Sequence, residues 1–375
     1  MRPLIVFAFA LSACSPQEAP AQPAVPFVAT PLAAFQSPWA MTFLPGRGVP
    51  MTAMALVTEK AGRLWLIDTK TGKRVAVSGV PKVDAGGQGG FGDVIVHPDF
   101  VGNGYVYLSW VEAGGSNTRG AVVGRGKLVI KGATAQIDGL QVIWRQEPKV
   151  SGRGHFGHRM AFGPDGMLYI SSGERQKFTP AQDMSANLGK IIRLTDGGMV
   201  PSDNPFYDQG RIKSQIWSFG HRNPLGIAFD SHGRLWEQEM GPEGGDEVNL
   251  IVKARNYGYP IVSNGRNYGS ATDDIPDHPT RPEFEAPKVS WNPVISPAGL
   301  MIYSGATFPA WKGNIFIGGL SSESLIRVTV DGDTAKEAER YNMGARIREV
   351  EQGPDGAIWL LEDEGRLIKL APKPQ

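Results

Sequence analysis

The sequence predicts an all-β protein folded as a six-bladed β-propeller, on the basis of a repeated strand motif, its spacing and an abundance of turn residues. The motif is a glycine and one variable residue followed by alternating apolar and aromatic residues, which is typical of a buried strand behind a turn. Helical periodicity is nearly absent along the chain. Six copies of the motif begin at Gly62, Gly104, Gly166, Gly233, Gly313 and Gly356.

The spacing of the motif fits one propeller blade per repeat. The first and last motif glycines lie 294 residues apart over five intervals, so the mean period is about 59 residues, enough for a four-stranded blade with its loops. Two intervals are longer, and their insertions are expected to build loops on one face. The alternative is a pair of β-sandwiches, but six similar hairpin motifs without a linker between two halves favour the propeller.

The composition supports a large globular domain with many turns. The 375 residues include 48 glycines and 29 prolines spread throughout, while 41% of residues are hydrophobic and 20% charged. Lys and Arg number 38 against 37 Asp and Glu, giving a net charge of +1. Because no field of one sign is expected, the sequence predicts no nucleic-acid binding and no electrostatic membrane binding.

The first 14 residues are predicted to be a lipoprotein-type signal peptide. Arg2 gives a positive start, residues 4–11 are apolar, and Leu-Ser-Ala-Cys ending at Cys14 resembles the lipobox of bacterial lipoproteins. The alternative is an ordinary secretory signal with an incidental cysteine. Lipidation is favoured because Cys14 is the single cysteine, which also excludes an intrachain disulfide. We therefore expect an exported, periplasmic protein held to a membrane through a lipid anchor.

The remaining chain divides at a change in composition. Residues 15–34 are rich in proline and alanine, which predicts an extended tether, and residues 35–375 are expected to form the propeller domain. No later apolar run has the length of a transmembrane helix.

Five loop segments are more specific than a turn requires, and each precedes a blade motif or lies in a long insertion. In a propeller, loops at equivalent blade positions converge at one end of the central channel. Their Gln, His, Arg and Asn side chains would suit a polyanionic planar ligand, with an imidazole placed as a base. The segments are 86–90 with Asp93, 154–159, 220–224, 241–247 and 346–349.

Each segment also has a purely structural interpretation. The glycines around Gln88 could form a flexible turn, and His155 with His158 could be surface donors or metal ligands without an adjacent carboxylate. Arg346 and Arg348 share one face of an extended strand, which gives a two-cation grip on a carboxylate. Alternatively, these arginines are surface charges paired to Glu349 or Glu351.

Acidic and histidine side chains of other loops also allow a structural interpretation. Asp246 and Glu247 in a glycine-rich loop suit calcium, a hard ion that takes oxygen ligands, or are simply solvated. His232 and His278 are expected to be exposed loop residues, and His97 is expected to be structural.

The order and combination of the loops resemble one family. The segments GGQGGFGDVIVHPDF, GHFGHRMAFGPDG, GHRNPLGIAFD, WEQEMGPEGGDEVNLI, NYGYP and WNPVISPAG resemble, in sequence order, those of the soluble quinoprotein sugar dehydrogenases, specifically the bacterial aldose sugar dehydrogenases. The resemblance covers about residues 35 to 370. It implies a six-bladed propeller that binds pyrroloquinoline quinone (PQQ) with calcium and oxidises the anomeric hydroxyl of aldoses to lactones. Its implied partners are an aldose substrate and an external electron acceptor, a quinone or a cytochrome.

The resemblance also implies roles for individual residues. His155 would be the general base that removes the hydroxyl proton of the substrate while hydride passes to the quinone. Gln88, Arg222 and Asn223 would contact the quinone oxygens, and Arg222 would stabilise the charge that develops there. Tyr268 is similar to the aromatic residue of the family that contacts the cofactor.

Further cofactor and metal residues are implied by the same resemblance. The two arginines at 346 and 348 would pair with cofactor carboxylates. Glu247 and the Tyr257 carbonyl resemble a structural calcium site, and the Gly241 and Pro242 carbonyls resemble those that hold the calcium bound to the cofactor.

Two positions depart from the family pattern. After Gly319 and Leu320, which belong to the predicted cofactor site, the family usually has a lysine, and this chain has Ser321. The change removes a positive charge from the expected quinone pocket. His158 occupies a position that is commonly glycine, which would add a side chain near the substrate mouth.

Two alternatives remain open at this point. The first is a calcium-dependent propeller hydrolase of the lactonase type, which uses carboxylates around one metal and needs no arginine pair. The second is a propeller that has lost its cofactor and binds a sugar or a protein. The dehydrogenase is favoured by the set of residues Gln88, His155, Arg222, Asn223, Arg346 and Arg348.

Overall fold

The computed structural model describes residues 25–46, 53–270 and 274–374. The predicted signal peptide with Cys14 therefore lies outside the described residues, as does the first part of the predicted tether. Within the described ranges, no helix is long and apolar enough to cross a membrane.

Strands are the main regular structure of the described chain, and they are numbered here in chain order. Those of the first half are β1 (Phe27–Ala34), β2 (Pro38–Phe43), β3 (Met54–Glu59), β4 (Arg63–Asp68), β5 (Arg74–Ser78), β6 (Phe91–Val96), β7 (Tyr105–Ala113), β8 (Arg119–Lys131), β9 (Thr134–Arg145), β10 (Gly157–Phe162), β11 (Leu168–Ser172), β12 (Lys190–Leu194) and β13 (Ile216–Phe219). Those of the second half are β14 (Pro224–Phe229), β15 (Leu235–Glu239), β16 (Glu243–Gly244), β17 (Asp246–Ile251), β18 (Gly265–Arg266), β19 (Val289–Trp291), β20 (Pro297–Ile302), β21 (Ile315–Gly319), β22 (Ser324–Asp331), β23 (Thr334–Asn342), β24 (Ile347–Gln352), β25 (Ile358–Glu362) and β26 (Arg366–Pro372).

Helices in the described ranges are short. One α-helix of four residues, α1 (Phe100–Asn103), follows β6. Short 3₁₀ helices occur at Thr179–Ala181, Tyr207–Gln209, Lys213–Gln215, His278–Thr280 and Pro309–Trp311. The predicted all-β class is confirmed.

Most of the strands assemble into four-stranded antiparallel sheets. Separate four-stranded sheets have the orders β10-β11-β12-β13, β14-β15-β17-β19, β20-β21-β22-β23 and β1-β26-β25-β24. An eight-stranded sheet runs β2-β3-β4-β5-β9-β8-β7-β6, and β16 pairs with β18. In the eight-stranded sheet, two four-stranded antiparallel halves meet where β5 and β9 pair in parallel over a short register that includes Val77 and Ala135.

The first strands of successive units contact one another in a closed series. β2 contacts β6, β6 contacts β10, β10 contacts β14, β14 contacts β20, β20 contacts β24, and β24 contacts β2. Apolar side chains fill the space between neighbouring sheets, as where Tyr107, Ile170 and Ile192 pack together with almost no exposure. Burial of such surface contributes about 25 cal/mol per Å², so the faces between the sheets form the core.

The repeated motif corresponds to a strand in every copy. Its glycines all adopt positive φ in the turn before the strand, from 72° at Gly104 to 100° at Gly62, a conformation that glycine adopts without steric cost. Five copies form the second strand of a sheet or half-sheet: β7, β11, β15, β21 and β25. The copy at Gly62 instead forms β4, the third strand of its half-sheet, because β3 precedes it without the motif.

The predicted start of the folded domain at residue 35 is wrong. Residues Phe27–Ala34 form β1, which pairs antiparallel with β26 near the other end of the chain. Phe27 is 4% exposed and packs edge-on against Trp311 and Tyr341. Pro31, one of the prolines that suggested a tether, is tolerated because β1 is an edge strand, and the register shifts just after this residue.

Candidate active site

The predicted functional loops meet at one end of the sheets. Gln88 precedes β6, His155 precedes β10, and Arg222 precedes β14, so each lies before the first strand of a unit. Glu174 and Met240 follow the second strands β11 and β15. Because first and second strands are antiparallel, these positions lie at the same end of the molecule.

The first cavity at this end has a volume of about 500 Å³ and contains the predicted base. It brings together His155, Arg222, Pro242 and Tyr268 from the predicted set. Its full lining is His155, Glu174, Gln176, Phe178, Arg222, Pro242, Tyr259, Pro260, Asn267 and Tyr268.

His155 is held firmly in this cavity. It is 5% exposed and adopts a φ of 48°, a strained value of the kind found at functional sites. Its backbone N–H donates to Oε1 of Gln88 at 2.7 Å, and its Nδ1 lies 2.5 Å from Oε1 of Glu174. With Nδ1 engaged, Nε2 is the ring nitrogen available to a substrate.

The protonation of this pair follows from its surroundings. Burial lowers the pKa of His155, the positive charge of Arg222 lowers it further, and the hydrogen bond to Glu174 opposes them without cancelling the shift. Burial disfavours ionisation of Glu174, but hydrogen bonds from His155 and from the backbone amides of Phe178 and Lys177 hold its pKa below the ordinary value. A neutral imidazole beside an ionised carboxylate is the state of a general base.

Arg222 and Asn223 are fixed by their backbone, while parts of their side chains have no partner. Both backbone N–H groups donate to Oε2 of Glu239, at 2.5 and 3.0 Å, and Nη1 of Arg222 donates to the Met240 carbonyl at 2.9 Å. Nε of Arg222 and both amide atoms of Asn223 are buried without a hydrogen-bond partner. Arg222 lines the first cavity, where an unsatisfied buried donor indicates a missing ligand, whereas Asn223 does not line that cavity.

A second cavity of about 250 Å³ contains most of the other predicted cofactor residues. Its lining is Trp39, Lys60, Gln88, Phe156, Gly157, His158, Leu225, Met240, Ser296, Leu320, Arg346 and Arg348. The two cavities are neighbours, since the side chain of Gln88 in the second accepts the backbone N–H of His155 in the first.

The arginine pair of the second cavity shares one carboxylate. Nε of Arg346 donates to Asp363 at 3.1 Å, and Nη2 of Arg348 lies 2.7 Å from the same carboxylate. The suggested pairing with Glu349 or Glu351 is therefore wrong. The carboxylate of Glu349 instead contacts Arg159, because its side chain points to the opposite face of β24.

The four predicted metal residues also come together. Gly241, Pro242, Glu247 and Tyr257 all line a small space of about 10 Å³ beside Arg222, about the size of one water-sized sphere. Burial and the neighbouring carboxylate of Glu239 raise the pKa of Glu247 well above its ordinary value. A cation in this space would relieve that repulsion.

Comparison with known proteins agrees with this arrangement. A family model described as Glucose / Sorbosone dehydrogenase matches residues 35–369. An aldose sugar dehydrogenase of Escherichia coli is 37% identical over 342 residues, which cover 90% of each chain. The chain belongs to the glucose/sorbosone dehydrogenase family. The predicted family and its oxidoreductase class are confirmed.

Solved structures give the same assignment for this dehydrogenase. The soluble aldose sugar dehydrogenase of Escherichia coli in the apo-form superposes with a TM-score of 0.87 at 36% identity, covering 92% of this chain and all of that one. The PQQ-bound form of an aldose sugar dehydrogenase from Streptomyces coelicolor gives a TM-score of 0.75 at 27% identity, covering 94% and 100% of the two chains.

The dehydrogenase also contains a buried acidic cluster that sequence reasoning missed. Ligand atoms of His221, Glu237 and Glu239 all lie within 4.8 Å of one another. The pairing of β15 with β17 adds Glu247 and Asn249 to the same face. Oε1 of Glu237 and Oδ1 of Asn249 have no hydrogen-bond partner, and neither does Nδ1 of His221, which lies 3.5 Å from Oε1 of Glu239. The sequence Trp-Glu-Gln-Glu could have indicated this cluster, because alternate residues of a strand share a face and its two carboxylates therefore lie side by side.

Two histidines differ from expectation. His278 is 4% exposed, not a surface residue, and its Nε2 lies 3.7 Å from Glu247. His158 lines the second cavity and not the first, since its ring stacks on Trp39 at 5.0 Å and contacts Ser109. Burial lowers the pKa of His158 to about 3.

The segment 319–321 contributes one residue to a cavity. Leu320 lines the second cavity, whereas Ser321 is exposed and its hydroxyl lies 3.5 Å from the Val294 carbonyl. Gly319 lines neither cavity, and a Cβ there would lie 2.0 Å from the Ser322 hydroxyl. Tyr268 lines the first cavity and is 73% exposed.

Proposed function

We propose that this protein is a PQQ-dependent aldose sugar dehydrogenase that oxidises the anomeric hydroxyl of aldoses to lactones. The observation that carries the proposal is the hydrogen-bonded pair of His155 and Glu174 in one cavity with Arg222, whose Nε is buried without a partner. Electrons would pass to an external acceptor, a quinone or a cytochrome.

The donor set supports PQQ as the cofactor. PQQ is planar and anionic, with quinone oxygens that accept hydrogen bonds and carboxylates that pair with cations. The unpartnered Nε of Arg222 and Nδ2 of Asn223 are donors that suit the quinone oxygens, as does the side-chain amide of Gln88 from the adjoining cavity. The arginines at 346 and 348 suit the carboxylates, because both share a single acidic partner.

The oxygen-rich space beside Arg222 supports calcium. Gly241, Pro242, Glu247 and Tyr257 would hold it, through backbone carbonyls and one carboxylate, which are ligands that calcium prefers. The adjacent Glu237 has its pKa raised well above the ordinary value by burial and by the nearby Glu239 charge, so the cluster favours a counter-cation.

In the proposed reaction, bound PQQ supplies the hydride-accepting quinone. His155 removes the proton of the anomeric hydroxyl through Nε2, since its Nδ1–H is committed to Glu174. The carboxylate of Glu174 keeps the ring oriented and stabilises the imidazolium that forms. Arg222 stabilises negative charge that develops in the cavity, and Phe178 and Pro260 contribute apolar surface to its wall.

We further propose that the sheets are the six blades of a propeller, with the eight-stranded sheet counted as two. The closed series of contacts from β2 through β24 and back to β2 supports this count. Export to the periplasm and lipid anchoring at Cys14 rest on the lipobox-like sequence. Extraction by detergent but not by salt is the expected behaviour, and a protein released without detergent would contradict anchoring.

The experiment that tests the function is a titration of metal-stripped protein with PQQ, with and without calcium. The quinone absorbance reports binding, and dye reduction with a panel of aldoses reports turnover. Stoichiometric, calcium-dependent binding with aldose-driven reduction is the expected result. Absence of PQQ binding at micromolar concentration would overturn the proposal, and lactone hydrolysis without PQQ would support the lactonase alternative.

A further inference from the structure

The second cavity has an unusual charge balance. Three cationic side chains line it, those of Lys60, Arg346 and Arg348, and among the described residues no Asp or Glu lines it. The nearby Asp363 is the acidic partner of both arginines. Three positive charges with one shared carboxylate leave an excess of positive charge in a partly buried space, which favours an anionic ligand.

Lys60 is rigidly positioned in this cavity. It lies in the turn between β3 and β4, where its N–H donates to the Ser37 carbonyl at 3.0 Å and its own carbonyl accepts from Phe91 at 3.0 Å. Its Nζ donates to the Gly87 carbonyl at 3.1 Å. An ammonium has three donors, so this contact leaves capacity for a ligand.

The charge of Lys60 is poorly compensated. Within the described residues it forms no salt bridge, and the side chain is half-buried. Burial lowers its pKa, the positive charges of Arg348 and Arg346 lower it further, and the carboxylate of Asp363 only partly opposes them. An anion placed among the three cations would remove this repulsion.

We propose that Lys60 is a cofactor-binding residue, the third cation that holds the carboxylates of PQQ beside Arg346 and Arg348. The inference rests on the proposed function and extends it to a residue that carries no assigned role. It also accounts for Ser321. That side chain is exposed and lines neither cavity, while the neighbouring Leu320 does line the second one. The positive charge that Ser321 does not supply is present at Lys60, from another part of the chain.

If Lys60 only supported a neighbouring loop, its variants would affect PQQ binding differently. Its bond to the Gly87 carbonyl also tethers the loop that carries Gln88. Glutamine at this position keeps an N–H donor for Gly87 but has no charge, and arginine keeps the charge. The two variants therefore separate support of the loop from binding of an anion.

The test uses Lys60→Gln, Lys60→Arg and the matched control Lys70→Gln. Lys70 is an exposed lysine beyond the opposite end of the same strand β4, so its substitution removes equal charge away from the cavity. PQQ binding to the calcium-loaded apoprotein is measured by quinone absorbance and by calorimetry at several salt concentrations. Thermal unfolding of each apoprotein checks the fold, and trimellitate, a planar aromatic tricarboxylate without a quinone, serves as a second probe.

We expect Lys60→Gln to weaken PQQ binding about tenfold, as for loss of one charge-assisted hydrogen bond, and to reduce its salt dependence. The PQQ affinities of Lys60→Arg and Lys70→Gln should lie within about twofold of that of the unchanged protein. Trimellitate should show the same ranking.

Equal PQQ affinity of Lys60→Gln and the unchanged protein would overturn the role of Lys60 and leave the proposed function standing. Equal loss of affinity in Lys60→Gln and Lys60→Arg would also overturn it, because charge would then be irrelevant. An unchanged protein that binds no PQQ would overturn the proposed function and this inference together.

Discussion

Nδ1 of His155 lies 2.5 Å from Oε1 of Glu174, and the glutamate side chain is fully buried. The other carboxylate oxygen accepts the backbone N–H groups of Lys177 and Phe178. A carboxylate fixed in this way has one orientation, so it also fixes the imidazole. Glu174 therefore orients the His155 ring, and its hydrogen bond is the largest of the effects that oppose the lowering of the His155 pKa by burial.

Replacing Glu174 by Gln should lower kcat by about a hundredfold or more, the scale of general base catalysis. The amide keeps the shape of the side chain but stabilises neither the tautomer nor the imidazolium. PQQ affinity should change little, since Glu174 is not among the proposed cofactor contacts. Steady-state dye reduction measures the effect, with the exposed Glu283→Gln as the control, and near-normal turnover would refute the proposed pair.

Replacing His155 by Gln should abolish most dehydrogenase activity while folding and PQQ binding remain nearly intact. The glutamine fills similar space in the first cavity but cannot accept a proton at neutral pH. The PQQ-loaded variant is mixed rapidly with aldose or with buffer, and the absorbance spectrum of the reduced cofactor is recorded. This measurement separates loss of chemistry from loss of cofactor. Unchanged turnover would falsify the assignment of the base.

The pH profile of kcat/KM should show an acidic limb with its inflection below 6.5, the ordinary pKa of histidine. Burial first, then Arg222, lowers the pKa of His155, so the neutral base persists to lower pH and activity is lost as pH falls through the shifted pKa. In Glu174→Gln the inflection should move lower still, because the carboxylate that supports the imidazolium is gone. An inflection above 6.5 in the unchanged protein would contradict a lowered pKa of His155.

Calcium should stabilise the fold through the cluster of buried carboxylates. Saturation at about a hundred times Kd corresponds to ~2.7 kcal/mol of added stability, so chelation should lower the melting temperature by several degrees. Glu247→Gln should lose most of the calcium response, since it removes the carboxylate ligand. The exposed Glu243→Gln in the same loop is the control, and a melting temperature insensitive to both chelation and calcium would exclude the site.

The all-β class and the convergence of several candidate loops at one end could be predicted because local sequence encodes them. Each motif glycine marks a turn with positive φ, and each loop that carries a polar side chain lies next to a strand of the repeat. Antiparallel pairing then brings Gln88, His155 and Arg222 to one end. The division of these residues between two cavities depends on side-chain packing from different sheets, which no local pattern reports.

Other features depend on partners far away in sequence. Asp363, which holds both arginines of the second cavity, lies on the neighbouring strand connection, and Glu174 reaches back 19 residues to His155. The environment of Lys60 depends on the start of β24, almost 290 residues later in the chain. A repeat search also cannot detect a strand such as β1, whose role depends on pairing with the last strand.

The pairing of β1 with β26 gives a last prediction, on stability. Phe27 is 4% exposed against Trp311 and Tyr341, whereas its neighbour Val28 is 44% exposed. Phe27→Ala should therefore lower the free energy of unfolding by about 3–5 kcal/mol, the usual result of removing a buried aromatic ring. Val28→Ala should cost under about 0.5 kcal/mol in urea unfolding at pH 7. β1 pairs with β26, the last strand of the chain. Equal stabilities of the two variants would therefore mean that β1 does not pack on its sheet in solution.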